Sequence, residues 1–326
     1  MRFCAWVLVI ASTKLASAAV DADEVKSFPG YSGDMPSKVY SGYIKASAPD
    51  VTGKEQTFFA HYVLTLSQRS PEDDPLVLWQ QGGPGSSGLG FGYFAELGPY
   101  QLTQASLTSN STAVPRPFLN PHSWDQRANL LIFEHPPGTG FSYCVSDGGN
   151  ETSKPVPCSW DDQTQAVAFY NTLGAFYASY SEFTKHDLFV IGESYAGLLI
   201  PFLVSEVMKH PRDTAALQLR AIAVGNGCPG TSGATRNNPG TCNGPFGNYD
   251  TQHIFELAYG HSAVSRKLHD AIVDACGFPC AAPTWSEDCN TFSGHCEQLL
   301  EEFSRAVGEF NVRMRPAHAK VRPLLH

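Results

Sequence analysis

Charge is scarce in this sequence. Asp, Glu, Lys and Arg make up 16% of its 326 residues, where a soluble chain usually carries about 25%. The balance is acidic, with 22 Lys and Arg against 31 Asp and Glu and a net charge of -9. There is no basic cluster, which argues against nucleic acid as a partner and against a polybasic hold on an anionic membrane. No run approaches the about 18 apolar residues that a membrane anchor needs. The sequence has no HExxH or other compact metal motif, no internal repeat and no coiled-coil heptad. His253, His261 and His269 recur at eight-residue steps, but two helical turns separate neighbours, too far for one ion. No metal and no cofactor is therefore expected.

What is present supports a folded, exported protein. Hydrophobic residues make up 42% of the chain, enough for a real core, and the length suits one large α/β domain or two ordinary ones. Residues 1–18 read as a signal peptide: Arg2, the apolar stretch from Ala5 to Ala11, and a small-x-small site at Ala16-Ser17-Ala18. That places the protein in the secretory pathway, bound for the extracellular space or for a lysosome or vacuole. Cys4 would leave with the leader. The remaining eight, Cys144, Cys158, Cys228, Cys242, Cys276, Cys280, Cys289 and Cys296, are an even number, which in an oxidising compartment favours disulfides over a zinc site. Even count and close spacing predict local pairs: 144 with 158, 228 with 242, 276 with 296 and 280 with 289. Asn110 and Asn150 open glycosylation sequons.

The periodicity alternates between strands and helices. Phe59 to Leu66 reads as a half-buried strand. Leu76 to Trp79, Asn129 to Phe133, Leu188 to Ile191 and Ala221 to Val224 read as buried ones. A capping pattern at Ser159 to Asp162 predicts a helix whose apolar face runs from Ala166 to Tyr180, and a second apolar helix follows Gly197 to about Met208. This is the pattern of an α/β fold, a mainly parallel sheet with helices on both faces. After Gly225 the composition turns rich in Gly, Asn, Pro and Thr, then helical and cysteine-bearing. Residues 19–226 are thus expected to form the core, and 227–326 an inserted, disulfide-stapled helical cap.

Gly192-Glu193-Ser194-Tyr195-Ala196-Gly197 lies between a buried strand and a helix, the context of a nucleophile elbow, where small residues must flank a strained serine. Ser194 is the candidate nucleophile. An oxyanion hole needs backbone N–H groups that do not reorganise. Tyr195, next in the chain, supplies one, and the glycine loop Gly82-Gly83-Pro84-Gly85 is placed to supply another. Gly225-x-Gly227-x-x-Gly230 fits a dinucleotide fingerprint on paper, but Pro229 and a glycine-rich stretch stand where its helix should open.

At these positions the chain resembles the serine carboxypeptidase family. The matching motifs are Trp79 to Ser87, Glu96-Leu97-Gly98-Pro99, Pro136 to Tyr143, Gly192 to Gly197 and Gly225-Asn226-Gly227, with Tyr40 to Tyr43 near the start. Their order and spacing hold from about residue 28 to about residue 315. The resemblance implies an α/β-hydrolase that removes single residues from the C-termini of peptides. It makes Ser194 the nucleophile and Gly83 and Tyr195 the oxyanion donors. Gln81, Gly82, Glu96 and Glu193 would hold the substrate's terminal carboxylate, with Trp79 supporting them. Glu96 and Glu193 can donate to a carboxylate only when protonated, so acidic pH should favour activity.

Three positions depart from the family pattern. Gln81 stands where the family has Asn, and Ser86 where it has Cys. The family's downstream catalytic Asp and His have no counterpart, since no histidine after Ser194 has the family's glycine-flanked setting. The resemblance therefore implies an incomplete, inactive form whose final strands are absent. The rival readings are a non-catalytic secreted glycoprotein on the same scaffold and an acyltransferase of the same family.

Overall fold

A computed structural model of the chain describes residues 22–107, 114–227, 258–260, 262–277 and 294–307. The cysteines at 228, 242, 280 and 289, the sequon asparagine at 110 and the signal-peptide region lie outside those residues. The chain divides into two compact units, Met1–Gly225 and Asn226–His326.

Among the described residues the first unit has ten strands: β1 (Glu24–Val25), β2 (Val39–Pro49), β3 (Glu55–Thr65), β4 (Leu76–Gln80), β5 (Tyr100–Gln101), β6 (Phe118–Leu119), β7 (Asn129–Phe133), β8 (Tyr143–Val145), β9 (Leu188–Glu193) and β10 (Leu219–Gly225). The main sheet runs β1-β2-β3-β7-β4-β9-β10, with β8 also paired to β3, while β5 and β6 form a separate ribbon. Strands β7, β4, β9 and β10 are parallel. The β1, β2 and β3 end joins them in antiparallel fashion. The sheet is thus mainly parallel, as the sequence pattern implies, in the half that carries the candidate residues, and antiparallel in the half built from β1, β2 and β3. The α-helices of this unit, among the described residues, are α1 (Asp162–Ser179), α2 (Ala196–Met208) and α3 (Thr214–Gln218).

The apolar runs of β4 and β7 reflect burial on both faces. Leu76, Leu78, Leu131 and Phe133 join one core cluster with Phe169, Phe176 and Ile200 from α1 and α2. The intervening Val77, Trp79, Leu130 and Ile132 join the opposite cluster, with Tyr93, Leu97 and Tyr100. That second layer includes a π-helical segment, Gly88–Leu97, in a stretch whose glycines read as loop. The cap of helix α1 lies two residues beyond the predicted one: Asp161 accepts from the Gln163 and Thr164 amides, and Thr164 answers as the reciprocal partner. Asp161, not Ser159, is the N-cap, and these amide donations hold its carboxyl below the usual range against the opposing effect of burial.

In the second unit, α4 (Arg266–Cys276) and α5 (His295–Val307) are joined by a disulfide between Cys276 and Cys296. Val264, Ile272, Leu299 and Phe303 form their shared core. In the first unit Cys144 bonds Cys158. Both pairs follow the predicted local scheme.

Candidate active site

The parallel strands end together, and the candidate residues lie at or just beyond their C-terminal ends. Where β9 runs into α2, Ser194 has φ 60°, a left-handed conformation that non-glycine residues rarely adopt and that strained functional turns retain. Small residues make the turn possible. A Cβ on Gly192 would run into the Gln80 carbonyl and come within 2.7 Å of the Ala196 Cβ. The Ser194 amide donates to the Gly225 carbonyl of β10 at 2.9 Å, which ties the elbow to the neighbouring strand.

The glycine loop after β4 fits against this turn. A Cβ on Gly82 would lie 2.6 Å from the Glu193 carbonyl oxygen, 2.8 Å from the Ser194 Cβ and 2.9 Å from the Tyr195 amide nitrogen. Only glycine allows that approach. Gly83 follows at φ 121°, a conformation open to glycine alone. The structure therefore brings Gly82 beside Ser194 and the Tyr195 amide, with Gly83 next in the chain and turned toward Gly85 and Ser86 of its own loop.

Trp79, Gln81 and Glu193 form a chain of contacts: the Trp79 indole donates to Gln81 Oε1 at 2.9 Å, and Gln81 Nε2 donates to Glu193 Oε2 at 3.5 Å. A cavity of about 330 Å³ is lined by Trp79, Glu96, Trp124, Ile191, Gly192, Glu193 and Gly225. Glu96, nearly a hundred residues from Glu193 in sequence, shares this cavity with it. A larger hollow of about 410 Å³ around His122, Trp124 and Arg127 contains none of the candidate residues.

Two supports of the site were not apparent in the sequence. The Tyr195 hydroxyl donates to Asp162 Oδ1 at 3.0 Å, fastening the residue after Ser194 to the first turn of α1. Burial pushes the Tyr195 phenol up to about 12, with the Asp162 hydrogen bond adding to it. Burial also raises the Asp162 carboxyl, partly offset by the Tyr195 hydrogen bond. The second support is Glu134, 1% exposed. It accepts from the Phe141 amide at 2.6 Å and from the Ser87 hydroxyl, and lies 3.1 Å from His61 Nδ1. Burial raises the Glu134 carboxyl, but the His61, Phe141 and Ser87 contacts outweigh it and hold the group below the usual range. Gly140 is required here, because any side chain would strike the Glu134 carboxylate. Both networks join residues far apart in sequence, so no local motif announces them.

The sequence profile of the serine carboxypeptidases matches residues 29–320. The chain belongs to the serine carboxypeptidase family. Serine carboxypeptidase-like 33 of Arabidopsis thaliana is 32% identical over 83% of this chain and 50% of its own length. Lysosomal protective protein of Mus musculus is 30% identical over 96% of this chain and 56% of its own. Among solved structures, Kex1Δp of Saccharomyces cerevisiae, a prohormone-processing carboxypeptidase, superimposes with a TM-score of 0.55 at 20% identity, over 90% of this chain and 59% of that one. The fold is accordingly that of the serine carboxypeptidases, an α/β-hydrolase. The chain spans about half the length of the curated relatives it matches. No described helix is long and apolar enough to cross a membrane.

Proposed function

We propose that this chain supplies the nucleophile and the carboxylate-binding half of a serine-type carboxypeptidase acting on peptide C-termini in the secretory pathway. The observation that carries the reading is the left-handed Ser194, with Gly82 seated against it and Glu96 and Glu193 lining one adjoining cavity. Ser194 attacks the terminal peptide carbonyl. The amides of Gly83 and Tyr195 receive the developing oxyanion. Gln81, Gly82, Glu96 and Glu193, backed by Trp79, hold the free carboxylate beside it. A protonated carboxyl donates to a carboxylate, whereas an ionised one repels it, so binding weakens as pH rises.

Ser194 also needs a base to take its proton and return it to the leaving amine. No histidine of this sequence stands in the family's glycine-flanked setting, so a polypeptide of these 326 residues should hydrolyse peptides negligibly. Loss of such a base costs turnover on the order of a millionfold.

Binding can be measured without turnover. N-acetylphenylalanine should raise the melting temperature at pH 5 far more than at pH 8, and its amide should not. Glu96→Gln should flatten that pH dependence. Equal stabilisation by acid and amide, or an unchanged pH dependence in Glu96→Gln, would sink the carboxylate-site reading. Separately, turnover of an N-blocked dipeptide that disappears in Ser194→Ala would show that the 326 residues already contain a base.

A further inference from the structure

On the antiparallel half of the sheet, away from the elbow, a second serine meets a histidine and a carboxylate. Ser41 of β2 and His61 of β3 lie on the same sheet face, one pair apart in register, since Tyr43 opposes His61 and Ser41 opposes Val63. The Ser41 hydroxyl is 3.0 Å from His61 Nε2. The other ring nitrogen, Nδ1, is 3.1 Å from Glu134 Oε2, close but angled away from ideal hydrogen-bond geometry, as resting catalytic contacts often are. Glu134 and His61 are 1% and 8% exposed, while Ser41 is partly exposed. In the tautomer that faces its N–H toward the carboxylate, Nε2 is the acceptor for the Ser41 hydroxyl. The order carboxylate, Nδ1, Nε2, hydroxyl is the one that activates a serine, recognised by geometry and not by position in the sequence.

We propose that Ser41, His61 and Glu134 form a second reactive-serine site, which takes activated esters and fluorophosphonates with aromatic or other apolar groups and acts independently of Ser194. The apolar preference comes from the walls. Tyr43 and Phe141 stand edge-on to the His61 ring, with centroids 5.5 and 5.4 Å away, and are 43% and 62% exposed. Tyr143 continues the wall from Tyr43.

In acylation, Ser41 Oγ bonds to the ester carbonyl carbon and its proton passes to Nε2. The bond to the leaving alcohol then breaks, and that alcohol takes the proton. Water attacks the acyl-serine by the same route, giving its proton through Nε2 to Ser41 Oγ and releasing the acid. With a fluorophosphonate the phosphorus–fluorine bond breaks instead, and hydrogen fluoride leaves. The site is a slow one: the Ser41 amide donates to the Asp23 carbonyl at 2.9 Å and the Phe141 amide to Glu134, so neither is free to receive an oxyanion. Each missing oxyanion donor costs about a hundredfold to a thousandfold in turnover. Covalent capture is therefore the readout, not hydrolysis.

The test treats the whole 326-residue chain with an alkyl fluorophosphonate and maps adducts by peptide mass spectrometry. Ser41 should be labelled in the wild type and equally in Ser194→Ala. Labelling of Ser41 should fall about a hundredfold in His61→Gln, the scale of a lost general base. An internal control is the adduct at partly exposed serines such as Ser47, which should trail Ser41 in the folded protein and match it in 8 M urea. That comparison stands even if His61→Gln fails to fold. Labelling confined to Ser194, labelling of Ser41 no faster than of Ser47, or labelling that a folded His61→Gln retains would each overturn the proposal and leave the reading of Ser194 untouched.

Discussion

At the scale of single residues, the elbow depends on what is missing from it. Gly82→Ala would push a methyl against three elbow atoms at 2.6 to 2.9 Å, an overpacking that costs about 1–3 kcal/mol. The melting temperature should drop by about 2–4 °C for each kcal/mol, readable by calorimetry. Asp162 behaves in the opposite sense. Its carboxyl is raised in the folded protein by burial, so the stability linked to it is complete below the ordinary aspartate range and is lost as pH rises through the folded value. Asp162→Asn keeps an acceptor for the Tyr195 hydroxyl and removes that loss. Melting curves at pH 4 and pH 7 should therefore show the variant gaining on the wild type at the higher pH. Ser194 could be picked out in the sequence because its flanking Gly192 and Ala196 are close in the chain. Asp162, His61 and Glu134 could not, because each is a lone polar residue whose partner is supplied by another strand or helix.

At the scale of elements, the strands that were legible are those buried on both faces, such as β4 and β7, whose short unbroken apolar runs between turns suit a central parallel strand. Strand β2 escaped notice although it is 11 residues long. Its Ser41, Lys45 and Ser47 lie on a partly wetted face, and its pairing with β3 supplies what its composition does not. The π-helical Gly88–Leu97 escaped for a similar reason: glycine lowers every local preference, and Tyr93 and Leu97 become helical by packing. Helix α1 is set by its cap, so Asp161→Ala should cost about 1 kcal/mol, measured by denaturant titration. Glu134 joins four elements, since it holds β7, His61 of β3, Ser87 and the loop leading to β8. Its carboxyl is lowered in the fold, so its contribution is full above the ordinary glutamate range and disappears as pH falls through the folded value. Stability scanned downward from pH 6 should fall more steeply in the wild type than in Glu134→Gln. An equal slope would remove Glu134 from the account.

At the scale of the whole molecule, two disulfides close loops of sequence separation 14 and 20, each worth about 3 kcal/mol in the chain-entropy account. Non-reduced peptide mapping should recover Cys144 with Cys158 and Cys276 with Cys296. A bridge from Cys144 to any cysteine after 227 would contradict both the structure and the local scheme.

Strand β10 is the outermost strand of the sheet among the described residues, and Arg220 to Ala223 are all exposed, Ile222 at 45%. In colloidal terms this is a sticky stripe: a row of backbone donors and acceptors that no other described strand pairs with, lying beside apolar side chains, the combination that templates strand addition. Solutions of the 326-residue polypeptide should show a negative second virial coefficient in static light scattering, and Ile222→Lys should move it toward zero. Purification yield would then be governed by one strand and by protein concentration, with the active-site residues playing no part in it.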